Sequence, residues 1–542
     1  MSRTSSAIPF GSLGNFSRTW HAIMQGRVPH DLFAAMPADM NSCRIAAERQ
    51  RAQSRPWKEL ADLFEARGKS YGVPSSTLAR LDALREGRAV MVVTGQQAGF
   101  LGGPLYTFLK AYHATRLAAE LEDYLHLPVL PVFWLEGEDH DLEEVRHARY
   151  LARGGDLGDL RFEPTAEHKG FMVGLYGVDA AAQIEELAAA LPLPSDEGLT
   201  LLREAYSHTT LSDAMGRLLA RSLGPRGLLV IEGMEPELKR MALPLWEKVL
   251  DRGPLLGEML RTRSEELKQQ QWVTPLEPTP DSYLFYLAGE DHIRHSLSYD
   301  GKLRTPGGQA ETLTHREIKA RVRAGEVSPK AALRPLYQDV VLPSVAYVAG
   351  PGELDYHAQL TPLYTDLGVA APSLFPRLSA TLLDAKTAKA VEKLGVTYDK
   401  LLGEDKQALI RELLREEDDQ QTAQLFDLVR YTIEALYAQL RPALAEIDPT
   451  LDGALHGATG KSLHPLNELQ QKTERALKQK YGTLLARLDK TLTALKPEGK
   501  IAERVLSTGY YLAKFSPEML LEALDQLPTE LREHWVIEME QG

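Results

Sequence analysis

With 542 residues, 44% hydrophobic and 25% charged, the chain has the balance of a globular protein and length enough for roughly two to four domains. A net charge of −13 argues against a broad nucleic-acid surface, and the single cysteine, Cys43, excludes an intrachain disulfide framework and a cysteine-cluster zinc site. The opening Met1-Ser2-Arg3-Thr4-Ser5-Ser6 lacks the apolar core of a signal peptide, and no run of about 18 apolar residues occurs, so a cytoplasmic protein with no membrane or nucleic-acid partner is expected.

Residues 1 to about 85 read as mostly helical and charged, with Cys43 a structural residue that has no histidine beside it. The sheet-forming core begins near Arg88. Ala89–Val93 is an apolar run that breaks into the glycine-rich Thr94–Pro104, followed by an amphipathic helix over about Leu105–Leu125. A second run, Val129–Leu135, ends in Glu136-Gly137-Glu138-Asp139-His140-Asp141. Strand, glycine-rich turn, helix, strand is the pattern of an α/β parallel sheet, whose ligands bind outside the carboxyl ends of the strands. Residues 151–200 form an inserted segment with a hairpin around Gly170–Leu175. A helix near Leu201–Leu223 then feeds a short strand at Gly227–Glu232 and another helix. Residues 282–305 alternate as a β-hairpin, and the stretch from about 285 to 335 reads as a second insertion. The run Val340–Ala349 predicts a strand buried on both faces that opens into Gly350–His357 and a helix. From Leu382 to Leu495 heptad spacing appears: Thr422, Phe426, Val429, Ile433, Leu436, Leu440 and Leu444, then Leu477, Tyr481, Leu484, Leu488, Thr491 and Leu495. With a loop over Ile447–His464, these predict an antiparallel helical hairpin about 35 to 40 Å long, read as a dimerisation arm.

Polar clusters stand at three strand ends. In the first loop Gly95 and Gly103 permit close backbone approach, Gln96 and Gln97 offer amide hydrogens, and the following helix start presents N–H groups to an anion. Neither a GxGxxG fingerprint nor a Walker lysine is present there. The Walker-like Gly457–Ser462 has Leu455 in place of the first glycine and follows no strand, so it carries no site. After Trp134, the carboxylates Glu138, Asp139 and Asp141 surround His140. Such a group could hold a substrate ammonium, bind Mg²⁺ or contain a general base, and no resident metal is assigned. At the third strand end come Gly350, Gly352, Glu353 and Tyr356: a carboxylate for a ribose and a ring that can stack. Arg334 and Gln338 just upstream can reach a carboxylate or phosphate.

These motifs resemble one family. They are Thr94–Gly99 with Gly103–Thr107, Pro131–Trp134 with Gly137–Asp141, Ala332–Asp339, Leu342-Pro343, Ala346–Val348, Gly350–Glu353, Tyr356–Leu360, Pro376-Arg377 with Ser379, and Glu503–Leu506. In that order, over nearly the full length, the chain is similar to the bacillithiol biosynthesis cysteine-adding enzymes, also called cysteine ligases. The resemblance implies a Rossmann-like core related to class I aminoacyl-tRNA synthetases and nucleotidyltransferases, with connecting insertions and a coiled-coil domain that makes a homodimer. On this chain that places the core at 1–385, the coiled coil at 386–500 and a segment returning to the core at 501–542.

The reaction implied is the last step of bacillithiol synthesis, in which the carboxyl of L-cysteine is joined to the amine of glucosaminyl-malate, with ATP and Mg²⁺ for activation. Gly95–Pro104 stands where the superfamily has its first histidine motif, without the histidines. Gly352–Asp355 falls where a ribose-binding element would lie. Arg377-Leu378-Ser379 lies where a lysine-serine loop would bind phosphates, with Arg in place of Lys. Cysteinyl-adenylate and cysteinyl-phosphate both remain open as the activated form. Arg334, Arg377 and the Gly95–Gly103 loop are then expected to meet phosphate charge. Glu138–Asp141 are expected to hold the cysteine ammonium or deprotonate the attacking amine, and the insertions at 151–200 and 285–335 to exclude water. Two other readings stand beside this one: a related nucleotide-dependent ligase or nucleotidyltransferase with other substrates, and a non-catalytic coiled-coil scaffold.

Overall fold

A computed structural model describes residues 3–14, 16–417, 421–528 and 532–539, and in it the apolar runs assemble into one parallel sheet. Strands β1 (Val90–Gln97), β2 (Val129–Glu136), β3 (Leu229–Glu232), β4 (Ser344–Ala349) and β5 (Ser373–Pro376) lie in the order β5-β4-β1-β2-β3. Val90–Val93 and Val132–Leu135 have no solvent exposure, which is why these strands read as continuous apolar runs rather than alternating ones. The register pairs Val90 with Val129 and Gln97 with Glu136, while Ala349 pairs with Pro376. Parallel pairing therefore brings Gln97, Glu136 and Ala349 to one edge. The chain leaves β1 for β2 and β3 on one side and returns to β4 and β5 on the other, so the switch point lies at β1.

Helix α1 (Leu105–Leu125) has the expected bounds but is buried over most of its circumference, not along one stripe. Its Leu117 and Leu121 pack with Val90, Val92, Val348 and Cys43, whose thiol burial pushes up to about 12. Helices α2 (Arg334–Val341) and α3 (Pro351–Leu367) flank β4.

Several local expectations are corrected by distant partners. Arg3–Pro9 is a strand, not a helix, because it pairs with Glu533–Met539 at the other end of the chain. The hairpin expected at Gly170–Leu175 is instead a turn into a short 3₁₀ helix, Val173–Leu175, and the hairpin of this region joins His147–Leu151 to Leu157–Arg161. The helix expected over Leu201–Leu223 is two helices, Asp196–Ala205 and Leu211–Leu223, separated at His208 (φ +44°), with the Thr210 side chain capping the second. The first part of the run Val340–Ala349 closes α2, since Pro343 holds Leu342 extended and β4 begins only at Ser344.

The residues group into two units, Met1–Asp384 with Lys496–Gly542, and Ala385–Leu495. In the second, helices α4 (Gln421–Ile447) and α5 (Leu451–Lys480) run antiparallel, with Arg430 on Gln470 at 2.8 Å, Tyr437 on Ser462 at 2.7 Å and Arg441 by Asp452 at 3.0 Å. The loop expected over Ile447–His464 is thus only the turn Asp448–Thr450. Gly453, Gly457 and Gly460 lie inside α5, each costing roughly 1 kcal/mol of helix propensity that the pairing offsets. Among the described residues no helix is long and apolar enough to cross a membrane.

Helix α6 (Thr508–Phe515) seats against helix Asp196–Ala205, where a Cβ on Gly198 would collide with the Leu512 carbonyl oxygen. Gly198→Ala is expected to cost about 1–3 kcal/mol, read as a lower urea midpoint. An unchanged midpoint would refute this close approach.

Candidate active site

A cavity of about 560 Å³ opens at the carboxyl ends of β1, β2 and β4. Six cations reach it: Lys110, Arg294, Lys330, Arg334, Arg377 and Arg504. Lys110 comes from α1 and is almost fully buried. Its ammonium donates to Gly95 O at 2.5 Å and Glu353 Oε2 at 2.6 Å. Glu353 opens α3 and also accepts from Gly350 N–H at 2.6 Å and the Tyr347 hydroxyl at 2.7 Å. Burial alone would raise its carboxyl, but Lys110 and Arg334 hold it below the ordinary value. Arg334 donates to the Tyr356 hydroxyl at 2.5 Å and stands 4.0 Å from both Glu136 and Glu353.

Glu136 behaves in the opposite way. Burial raises its carboxyl to about 7, Glu138 and Asp139 push the same way, and Arg334 and Arg294 only partly counter them. Trp134 Nε1 donates to it at 3.3 Å. Across the cavity Asp139 accepts from the Gln97 amide and from His140 N–H, both at 2.7 Å, with Arg294 at 3.5 Å. Burial would raise Asp139, but Gln97 and Arg294 keep it low. Arg294 and Lys330 flank the strands His295–Ser298 and Val327–Pro329 of a five-stranded antiparallel sheet, and each stands over the Tyr286 ring, at 4.3 and 5.0 Å. Burial, with Arg294 adding to it, brings the Lys330 ammonium down to about 8.

The end of β5 is held by the C-terminal segment. Arg377 donates to Glu503 Oε1 at 2.6 Å, and both side chains are essentially without exposure. Glu503 also accepts from Ser379 Oγ and Ala380 N–H, each at 2.8 Å. Because Ser379 spends its proton on Glu503, it must accept from His534 Nδ1 at 2.8 Å. His534 Nε2 then accepts from Thr381 at 3.0 Å. Donation runs from Thr381 through His534 and Ser379 to the accepting Glu503, with Arg377 meeting that carboxylate from the cavity side.

Sequence profiles match this chain over almost its whole length. "Bacillithiol biosynthesis BshC, N-terminal Rossmann-like domain" covers residues 24–378, and "Bacillithiol biosynthesis BshC, C-terminal coiled-coil domain" covers 380–539. The chain belongs to the BshC family. A relative from Koribacter versatilis is 31% identical over 526 residues, 93% of this chain and 94% of its own. Relatives from Salinibacter ruber (30%, 88% of each chain) and Chlorobaculum tepidum (29%, 89% of this chain and 88% of its own) match similarly, and all three are named "Putative cysteine ligase BshC".

In this BshC chain the expected site residues divide into those on the cavity and those behind it. Gly95, Gln96, Gln97, Asp139, His140, Arg334, Gly350, Gly352, Glu353, Tyr356 and Arg377 line it. Glu138 does not: it is buried against Lys239 Nζ at 2.6 Å, and that lysine also donates to Val327 O. Asp141 caps the short helix Leu142–Val145. Trp134 is fully buried, edge-on to Tyr337, and Gln338 is buried beside Asp339. Ser379 is sealed in the Glu503 network. Gly103 serves the turn at φ +64°, and protein groups take the N–H of Gly102, which donates to the Tyr206 hydroxyl at 2.7 Å, and of Leu105, which donates to Leu506 O at 2.9 Å. No residue of 151–200 is among the lining residues, but that insertion clamps the acidic loop, Val173 N–H donating to Asp139 O and Gly174 N–H to Gly137 O.

Glu136, Lys110, Arg294 and Lys330 are lining residues that the sequence reading left out of the candidate site. Tyr106 and Lys110, spaced i,i+4 in the first turns of the helix that follows the glycine-rich loop, were a usable signal. Arg294 and Lys330 had none, since only the tertiary fold lays their sheet over the strand ends.

Replacing Glu503 by Gln leaves a buried guanidinium without its carboxylate and is expected to cost about 3–5 kcal/mol of stability, measured by urea denaturation. A cost below about 1 kcal/mol would refute the pairing. The Glu136 carboxyl sits above its unfolded value of 4.5, so its stabilising contribution is complete below that pH and is lost as pH rises through about 7. Glu136→Gln is therefore expected to be more stable than the parent at about pH 8, by on the order of 1–3 kcal/mol, and similar to it near pH 4.5. Thermal melts at the two pH values check the sign.

Proposed function

We propose that this cavity is the active site of an ATP-dependent ligase joining the carboxyl of L-cysteine to the amine of glucosaminyl-malate, the last step of bacillithiol biosynthesis. The observation that carries the reading is that Glu136, with its carboxyl held near neutrality, opens on the same cavity as Arg334, Arg377 and Arg504. Amide formation from a free carboxylate needs three things: activation of the carboxyl, stabilisation of anionic charge, and a base for the attacking amine. ATP, with Mg²⁺ accompanying its phosphates, supplies the activation. The lining suits it, because cations outnumber the carboxylates Glu136, Asp139 and Glu353.

In this reading Arg334, Arg377, Arg504 and Lys330 hold phosphate charge, and Arg377 does so at a position set by Glu503. Asp139, oriented by Gln97, receives the ammonium of the amino acid. Glu136 accepts the proton of the attacking amine, since a carboxyl titrating near 7 is divided between its two forms at neutral pH. The antiparallel sheet forms the wall that keeps water from the activated acyl group. The names of the relatives support cysteine as the acyl donor. Exposed Leu425, Leu428, Tyr431, Leu436 and Leu440 on α4 support a homodimer through the coiled coil, and a reduced thiol substrate and ATP fit the cytoplasm.

The test is mass spectrometry of the folded protein with ATP, Mg²⁺, L-cysteine and glucosaminyl-malate, omitting one component at a time. A bacillithiol mass that requires all four is expected, and AMP or ADP as co-product names the activated form. Glu136→Gln is expected to lower kcat by about 10²–10⁴-fold with little change in KM. No product from folded parent protein, or product with a different amine only, overturns the reading.

A further inference from the structure

His140 stands on the cavity wall just past β2, with its ring 43% exposed. Its Nδ1 lies 3.3 Å from Nη1 of Arg294. A guanidinium carries five donors and no acceptor and stays protonated, so at this contact Nδ1 can only accept. Arg294 does not depend on the histidine for its place. Its Nη2 donates to Pro329 O at 2.7 Å, and its plane covers the Tyr286 ring at 4.3 Å. A neutral imidazole that accepts at Nδ1 carries its proton on Nε2.

The charged and titratable groups facing the ring are Asp139 and Asp141 from its own loop, and Arg294 and Tyr286 from the antiparallel sheet. Asp139 Oδ1 is the carboxylate oxygen beside Nδ1. At 3.5 Å it stands farther off than Arg294 Nη1 at 3.3 Å, and the Asp139 oxygens already accept from Gln97 and the His140 N–H at 2.7 Å. Burial, then Arg294, hold the imidazole below its ordinary pKa against the pull of the two aspartates. Among the described residues no protein group hydrogen-bonds Nε2, which leaves that N–H for whatever fills the cavity.

We infer that His140 is a catalytic residue that acts as a fixed neutral donor, through Nε2–H, to the carbonyl oxygen of the reacting acyl group, and not as a general base. The inference rests on the ligase reading above. As the amine nitrogen bonds the carbonyl carbon, the C=O π pair moves onto oxygen, where the Nε2–H meets it, and no proton leaves His140. The pair returns as the bond to the activating phosphate-type group breaks, that group departs with its electrons, and the amine's proton goes to Glu136.

Two measurements test this. In protein labelled with ¹⁵N-histidine, the His140 ring, assigned by its absence in His140→Gln, is expected to be neutral with the proton on Nε2 near neutral pH. An imidazolium or an Nδ1-protonated ring overturns the inference without recourse to any variant's activity. In turnover, His140→Ala is expected to lower kcat about 10²–10³-fold, and His140→Gln, which keeps an N–H donor, to recover at least about tenfold of that. Both variants are expected to keep the acidic limb of the parent's pH–kcat profile. Loss of that limb in either variant, or a Gln variant no better than Ala, also overturns the role. Parent protein that forms no product overturns the ligase reading and the role with it, whereas product formed by parent protein with the wrong tautomer overturns the role alone.

Discussion

The carboxylate of Glu503, with no solvent exposure, is the contact on which the shape of the cavity depends. A lone buried cation at Arg377 would be unstable, and a lone buried carboxylate equally so. Paired, and with Ser379 and Ala380 satisfying the remaining lone pairs, they bind the C-terminal segment to the end of β5. The next residue, Arg504, then reaches the cavity, and Leu506 and Thr508 take up the backbone groups of Leu105 and Gly103. The end of the chain thereby sets the form of the first glycine-rich loop.

That arrangement accounts for the backbone of the glycine-rich turn. The loop passes through left-handed backbone at Leu101, Gly102 and Gly103, and the N–H groups of Gly102, Gly103 and Leu105 donate to Tyr206, Phe100 and Leu506. The cations of the cavity are side chains converging from α1, α2, the antiparallel sheet, the end of β5 and the C-terminal segment. Within that cationic lining two carboxylates part company. Glu353 has an ammonium, a hydroxyl and a backbone N–H on it and is held ionised. Glu136 has one indole N–H and neighbouring negative charge, and is held near neutrality. Environments that separate the behaviour of like groups are how one site hosts both a structural anion and an acid–base residue.

Much of this was legible in the residues. Val90–Val93 and Val129–Leu135 announce buried parallel strands because such strands meet water on neither face, and the glycines between β1 and α1 announce a tight turn. The polar residues at the three strand ends follow from the same logic, which is why Gln97, Asp139, His140, Arg334 and Glu353 are identifiable from the sequence. Trp134, Gln338, Ser379 and Glu138 are equally polar or amphipathic and equally close in sequence, yet they turn inward. Which way such a residue points depends on whether a partner waits behind the sheet, as Lys239 does for Glu138 and His534 for Ser379.

Hydrophobic periodicity and turn residues, which act over a few neighbours, suffice to specify the parallel sheet, the order of its loops and the helical character of residues 421–495. That Arg3–Pro9 is a strand, that the antiparallel sheet brings Arg294 and Lys330 to the cavity, and that Glu503 holds Arg377 emerge from long-range packing. Each of these rests on a contact between segments far apart in the chain, where the energy lies in burial and pairing that no local pattern encodes.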